Sequence, residues 1–126
     1  EKQNAHSKSI RLAVFSPDGK TIVSGSEDRT IKAWDSATLE LKSEKSNADT
    51  NVITSVAFSP DGKTIVSSSD YTIKIWVSVT LELKSEKQIA HSRWIRSMAF
   101  SPDGTTIVSC SDDQTIKIWD SATLEL

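Results

Sequence analysis

Residues 13–19 read Ala13-Val14-Phe15-Ser16-Pro17-Asp18-Gly19, and nearly the same phrase returns as Val56-Ala57-Phe58-Ser59-Pro60-Asp61-Gly62 and as Met98-Ala99-Phe100-Ser101-Pro102-Asp103-Gly104. The last four residues of the phrase are a tight turn on chemical grounds. Proline presets φ at the second position, and glycine takes the positive φ that side chains resist. Runs of strand-forming residues enter and leave the turn, so it joins two antiparallel strands.

Outward from these turns, the three phenylalanines stand 43 and 42 residues apart. Trp34, Trp76 and Trp119, each closing a Thr-Ile-Lys-x stretch, stand 42 and 43 apart. Two independent landmarks thus give one period, which marks a repeat architecture. The units are 1–43, 44–85 and 86–126 within a single domain of 126 residues, and the last lacks the Lys-Ser that closes the other two. Residues 1–41 align with 86–126 without a gap and are identical at 30 of 41 positions, which implies recent duplication or deliberate design.

Within a unit the runs at 10–15, 21–26 and 30–34 are short and rich in β-branched and aromatic residues, and helix signals are absent. A more polar fourth run, 39–45, suits an outer edge that must discourage aggregation. Each unit therefore reads as a four-stranded antiparallel sheet, and the chain as all-β. One such sheet cannot bury both faces, so neighbouring sheets stack, and their twist bends the stack toward a ring.

Lys and Arg total 15 against 17 Asp and Glu, and a net charge of −2 exerts no strong pull on nucleic acid or anionic lipid. No run approaches the roughly 18 apolar residues of a membrane helix, and residues 1–4 lack the layout of a signal peptide. The expectation is a soluble chain that binds neither nucleic acid nor membrane. The single cysteine, Cys110, forms no internal disulfide, which favours a reducing, cytoplasmic location.

Taken together, the period, the turn and Trp-Asp make the chain resemble the WD40 repeat family over essentially its whole length. Trp34-Asp35 and Trp119-Asp120 match the naming dipeptide. Ala5-His6 and Ala90-His91 stand where the family usually has Gly-His, and Asp28, Asp70 and Asp113 stand at the aspartate of the turn before the third strand. The resemblance implies β-propeller blades. It also implies, in each blade, a buried hydrogen-bonded chain of His, Ser or Thr, Asp and Trp. The matching sets are His6, Ser24, Asp28, Trp34 and His91, Ser109, Asp113, Trp119, with Ser26 and Ser111 as nearby alternatives for the serine. Indole N–H only donates and carboxylate only accepts, so imidazole and hydroxyl relay between them. Repeat two departs from this pattern. Asp49 replaces the histidine, Val77 replaces the aspartate after Trp76, and one residue is missing before Asp70, so its chain is expected to be incomplete and its blade the loosest.

A serine, a histidine and an aspartate in company invite a hydrolase reading, but a triad needs one exposed nucleophile and an oxyanion hole, whereas here the set occurs twice beside an indole meant to be buried. Two histidines some 85 residues apart and one cysteine lack the clustered spacing of a zinc site. Of four glycines, three lie in the repeated turns, which leaves no phosphate-cradling loop. No enzyme activity, metal or cofactor is expected. Cys110, in the place of Gly25, reads as a small packed side chain.

The resemblance further implies that other proteins or peptides are recruited on the face lined by the loops before the first and third strands. Those loops hold Lys8, Ser9 and Arg11 in repeat one, Asn51, Val52 and Thr54 in repeat two, and Arg93, Trp94 and Arg96 in repeat three. Glu27, Ser69 and Asp112, just before the turn aspartates, belong there too. Trp94 replaces Ser9 and is flanked by arginines, the pairing over-represented among interface hot spots; local packing of Trp94 against its blade is the competing reading.

Three blades are fewer than the four to eight of a typical propeller, so oligomerisation is expected to complete the ring. A closed homodimer of six blades comes first and a trimer of nine second. Leu124-Glu125-Leu126 of one copy and Glu1-Lys2-Gln3 of another would regenerate a fourth strand, minus Lys-Ser. The expected function is a non-enzymatic protein-interaction scaffold. The alternative is a structural or engineered repeat protein whose only activity is self-assembly.

Overall fold

The computed structural model describes residues 1–49 and 51–126 and contains eleven strands and no helix among them. The first sheet is β1 (Ile10–Phe15), β2 (Thr21–Ser26), β3 (Ile31–Asp35) and β4 (Leu41–Lys45). The second is β5 (Ser55–Phe58), β6 (Thr64–Ser68), β7 (Ile73–Val77) and β8 (Leu83–Lys87). The third is β9 (Ile95–Phe100), β10 (Thr106–Ser111) and β11 (Ile116–Asp120). Every sheet is antiparallel in chain order, and the inner strands β1, β5 and β9 lie next to one another in succession.

The third sheet thus has three of the four expected strands. The lead-in to the fourth is formed all the same. The Asp120 N–H donates to the Glu125 carbonyl at 2.8 Å, the same bond as Asp35 to Glu40 at 2.9 Å and Val77 to Glu82 at 2.8 Å.

Local chemistry explains the hairpins. In the first, the Ser16 hydroxyl donates to Asp18 Oδ1 at 2.6 Å and the Lys20 N–H donates to the same oxygen at 2.9 Å, while Gly19 takes φ of 73°. The fourth strands begin two residues later than the apolar pattern predicts, because Leu39, and likewise Leu81, sits in the left-handed region. Such a conformation costs an L-residue about 1–2 kcal/mol. At Leu81 and Leu124, which share it, the side chain is almost fully buried between sheets, and that burial offsets the strain.

Two apolar layers hold the three sheets together. Val23, Ile31 and Ala33 of the first sheet meet Val56, Ile65 and Trp76 of the second; Val66, Ile73 and Ile75 on the reverse of the second meet Met98, Ile107 and Trp119 of the third. The middle sheet is therefore covered on both faces and each outer sheet on one. Ile10 and Phe15 at one end, and Val108, Ile116 and Ile118 at the other, are exposed.

Candidate interaction face and the polar chain beneath it

β2 and β3 place Ser24 beside Trp34, and the segment before β1 carries His6 across to them. The Trp34 indole donates to Ser24 Oγ at 2.9 Å, His6 Nε2 is 2.7 Å from the same oxygen, and His6 Nδ1 is 3.0 Å from Asp28 Oδ2. The third sheet repeats this with Trp119 to Ser109 at 2.8 Å, His91 Nε2 to Ser109 at 2.7 Å and His91 Nδ1 to Asp113 at 2.8 Å. With a neutral ring the direction of the chain follows. Indole can only donate, so the serine donates onward to Nε2, and the proton on Nδ1 goes to the carboxylate. Burial works to raise Asp28, but the Ser7 N–H, His6 and the Thr30 N–H outweigh it and hold the carboxyl below its ordinary range. Asp113 is held lower still, with Thr115 and His91 foremost among the groups that overcome burial.

This arrangement ties strands together through groups that bond one another. Ser24, Ser109 and both histidines are buried, and each serine oxygen already accepts from an indole. Ser26 and Ser111, the alternatives for the serine, do something else. Each donates to the loop before the first strand, at the Ser9 and Arg93 carbonyls, and accepts from the turn aspartate's N–H.

The second sheet keeps only part of the pattern. Trp76 donates to Ser67 at 2.8 Å, but Asp49 stands buried in the histidine's place with Lys74 Nζ at 3.5 Å, and Asp70 accepts from Asn51 and the Tyr71 N–H instead. The missing residue also removes the strand bulge that β1 and β9 share, and the left-handed turn residue seen at Arg29 and Gln114.

Above these chains lie the loops expected to receive a partner. Lys8, Ser9, Arg11, Arg93, Arg96 and Asp112 are exposed, and Glu27, Asn51, Val52, Thr54 and Trp94 are half-buried on the same side. Arg96 forms a two-pronged pair with Asp112, Nε to Oδ1 at 2.9 Å and Nη2 to Oδ2 at 2.7 Å, and its guanidinium lies 5.6 Å from the centre of the Trp94 ring. Arg11 pairs with Glu27 on the first sheet through a single contact, Nη2 to Oε2, and Ser9 stands there in place of the tryptophan. Ser69 corrects the sequence reading. It is fully buried, because the one-residue deletion draws it into the position of Ser26 and away from that of Glu27.

A family model described as WD domain, G-beta repeat matches residues 2–35, 41–77 and 83–120. The chain belongs to the WD40 family. It is similar to Protein Mut11 of Chlamydomonas reinhardtii, 49% identical over 35 residues, which is 28% of this chain and 10% of that protein. It is also similar to a crystal structure of RRP9 WD40 repeats, with a TM-score of 0.88 and 25% identity over 94% of this chain and 37% of the other. The chain thus spans well under half the length of either of them.

Sequence reasoning passed over one further element of these WD40 blades. Lys32, Lys74 and Lys117 each donate to the carbonyl of Ala5, Ala48 or Ala90 at 2.8 Å while lying 5.9 Å from the centre of their own blade's tryptophan ring. The signal was present as the lysine two residues before Trp34, Trp76 and Trp119. The aspartate of the WD dipeptide has a local task as well: Asp35 Oδ1 accepts the Ala37 and Thr38 N–H groups at 2.9 and 3.0 Å.

Proposed function

We propose that this chain is a non-enzymatic scaffold that binds proteins or peptides through the loop face of its blades, and that further copies of the chain complete the ring displaying that face. The observation that carries the binding reading is the cluster of Trp94, Arg96 and Asp112. The ion pair fixes the guanidinium, the guanidinium braces one side of the indole, and a half-exposed ring held in this way is a pre-ordered amphipathic anchor. Lys8, Ser9, Arg11 and Glu27 extend the surface on blade one, and Asn51, Val52 and Thr54 on blade two, with Arg93 beside Trp94.

The test is a selection of peptides from a random displayed library against the full chain, counter-screened with Trp94→Ala. Binders that lose tenfold or more of their affinity support the assignment. A binder set indifferent to Trp94, Arg96 and Arg11 would overturn it.

Ring completion is supported by the apolar faces left open on blades one and three. A twofold ring of six blades is the first arrangement and a threefold ring of nine the second. Light scattering distinguishes them as two or three times the chain mass, and a monomeric mass at all concentrations would overturn self-completion. The same open faces favour a second reading, a repeat protein whose only activity is self-assembly. An assembled mass together with an empty peptide selection would point there.

A further inference from the structure

Building on the reading that copies of the chain complete the ring, we infer that the junction is head-to-tail. The open face of blade three seats on the open face of blade one of a second copy, with Cys110 over Ala13 and Pro102 over Gly19 setting the register. The two internal junctions define what such a contact looks like. Ile31 and Ile73, which open the third strands of blades one and two, are fully buried against the next blade, whereas their counterpart Ile116 is 75% exposed. On the opposite side of a blade, Ile53 and Ile95 are fully buried against the preceding blade, whereas Ile10 is 49% exposed. The same residue at the same position differs only in whether a neighbouring blade is present. The occupant each open face fits is another blade of this kind, and the chain carries one at its other end.

Three features match one end to the other. Pro17 Cδ lies 3.6 Å from where a Cβ of Gly62 would be, and Pro60 Cδ lies 3.3 Å from the same point on Gly104, yet Gly19 has nothing within 4 Å. Pro102 is the proline that remains for it.

The second feature is a size match. Strand register makes Ala13, Val56 and Met98 equivalent, each opposite Ser24, Ser67 or Ser109, and makes Gly25, Ser68 and Cys110 equivalent, each opposite Ile31, Ile73 or Ile116. At the first junction a Cβ on Gly25 would come 2.6 Å from Ile53 Cγ2 and 3.2 Å from Val56 Cγ1. A side chain at this position therefore needs room from the blade it faces. By the same register Ser68 faces Met98, an unbranched chain that can move aside. Cys110, the largest of its three, faces Ala13, the smallest of its own.

The third feature is polar. Lys32 and Lys74 lie 3.8 and 3.9 Å from Glu44 and Glu86 on the fourth strands of their blades. Lys117 has no carboxylate of its own chain in that place among the described residues, and Glu1 occupies the repeat position of Glu44. Lys2 already lies 5.8 Å over Trp34, as Lys45 lies 6.0 Å over Trp76. The first residues of one copy are thus positioned as the end of a fourth strand for blade three of another.

The experiment uses the full chain carrying Ala13→Cys. At the first internal junction a Cβ on Gly25 would lie 3.2 Å from Val56 Cγ1, the atom that a cysteine Sγ replaces at that position, so thiols at the equivalent pair meet across the junction. Mild oxidation should link the introduced thiol to Cys110 of a neighbouring copy and convert most of the protein to covalent oligomers of the mass found by light scattering, while the parent chain stays uncrosslinked. As a second measurement, Ile116→Glu places a charge on a residue exposed in the single chain and buried at the junction. It should reduce the assembly to monomers with unchanged circular dichroism and speed alkylation of Cys110 at least tenfold. An oligomer in which the parent chain itself forms Cys110–Cys110 links would overturn the head-to-tail junction and leave self-association standing. An oligomer in which Ala13→Cys forms no link, or in which Ile116→Glu stays assembled, would do the same. A monomeric parent chain would overturn both.

Discussion

Trp34 and Ser24, ten residues apart in sequence and diagonal neighbours on the adjacent strands β2 and β3, share a buried hydrogen bond of 2.9 Å in which the indole can only donate. That bond orders the rest of the chain through His6 to Asp28, and its loss is expected to be felt at both ends. Ser24→Ala leaves the indole N–H and His6 Nε2 buried without their shared partner. A destabilisation of about 1–3 kcal/mol is expected, read as a lower urea midpoint. A midpoint equal to the parent's would mean that the hydroxyl carries no net stability.

Gly25 tests the closeness of the first two blades. With Ile53 Cγ2 2.6 Å from the added carbon and Ile53 Cβ at 3.3 Å, the contact is with a stiff branched side chain that cannot swing away. Gly25→Ala should destabilise by about 1–3 kcal/mol through overpacking, whereas Gly25→Ala combined with Ile53→Ala, which removes the Cγ2 in the way, should cost less than the sum of the two single changes. Additive effects of the two changes in chemical denaturation would refute the contact.

Acid should weaken the fold through the turn aspartates. Asp103 is held at about 2 by the Thr105 N–H first, then by the Ser101 and Thr105 hydroxyls, and Asp18 and Asp61 are lowered by their own serines and N–H groups. Because the folded values lie below the ordinary 3.8, the stabilisation is complete above that value. It is lost as pH falls toward about 2. Thermal melting followed from pH 5 downward should show Tm falling below pH 4, and the gap between the parent and Asp103→Asn should narrow over the same interval. A constant gap would show that the carboxylate is not the linked group.

Amide exchange should depend on assembly. In a monomeric form such as Ile116→Glu, β7 lies in the sheet covered on both faces and should exchange more slowly than β11, whose Ile118 is 60% exposed. In a closed ring every blade would be covered on both faces. The different polar set of the second blade, with Asp49 in place of the histidine, would then make β7 faster than β3 and β11. Slower exchange in β7 under both conditions would remove the role given to the polar chain.

Much of this protein was legible in its residues because its signals are local or periodic. The Ser-Pro-Asp-Gly turns, the strand alternation and the spacing of Trp34, Trp76 and Trp119 depend on backbone preferences and hydrophobic pattern, and these repeat in the sequence as they do in space. The partners of His6 and His91 could be named because the resemblance to WD40 repeats implied them, and the donor and acceptor inventories of those residue types are consistent with it.

Tertiary structure alone decided which surfaces stay open. Ile31 and Ile116 occupy the same place in their repeats, and one is buried while the other is exposed, because burial depends on the neighbour a residue meets and not on its own chemistry. The left-handed Leu39 was invisible for a related reason: leucine does not favour that conformation, and at its counterparts Leu81 and Leu124 the pocket between two sheets supplies the energy that holds it there. Ser69 shows both effects at once. Its sequence neighbours place it in a loop, but a deletion one residue long shifts it to the buried face, because strand register is set by pairing with β7 and not by counting from the turn.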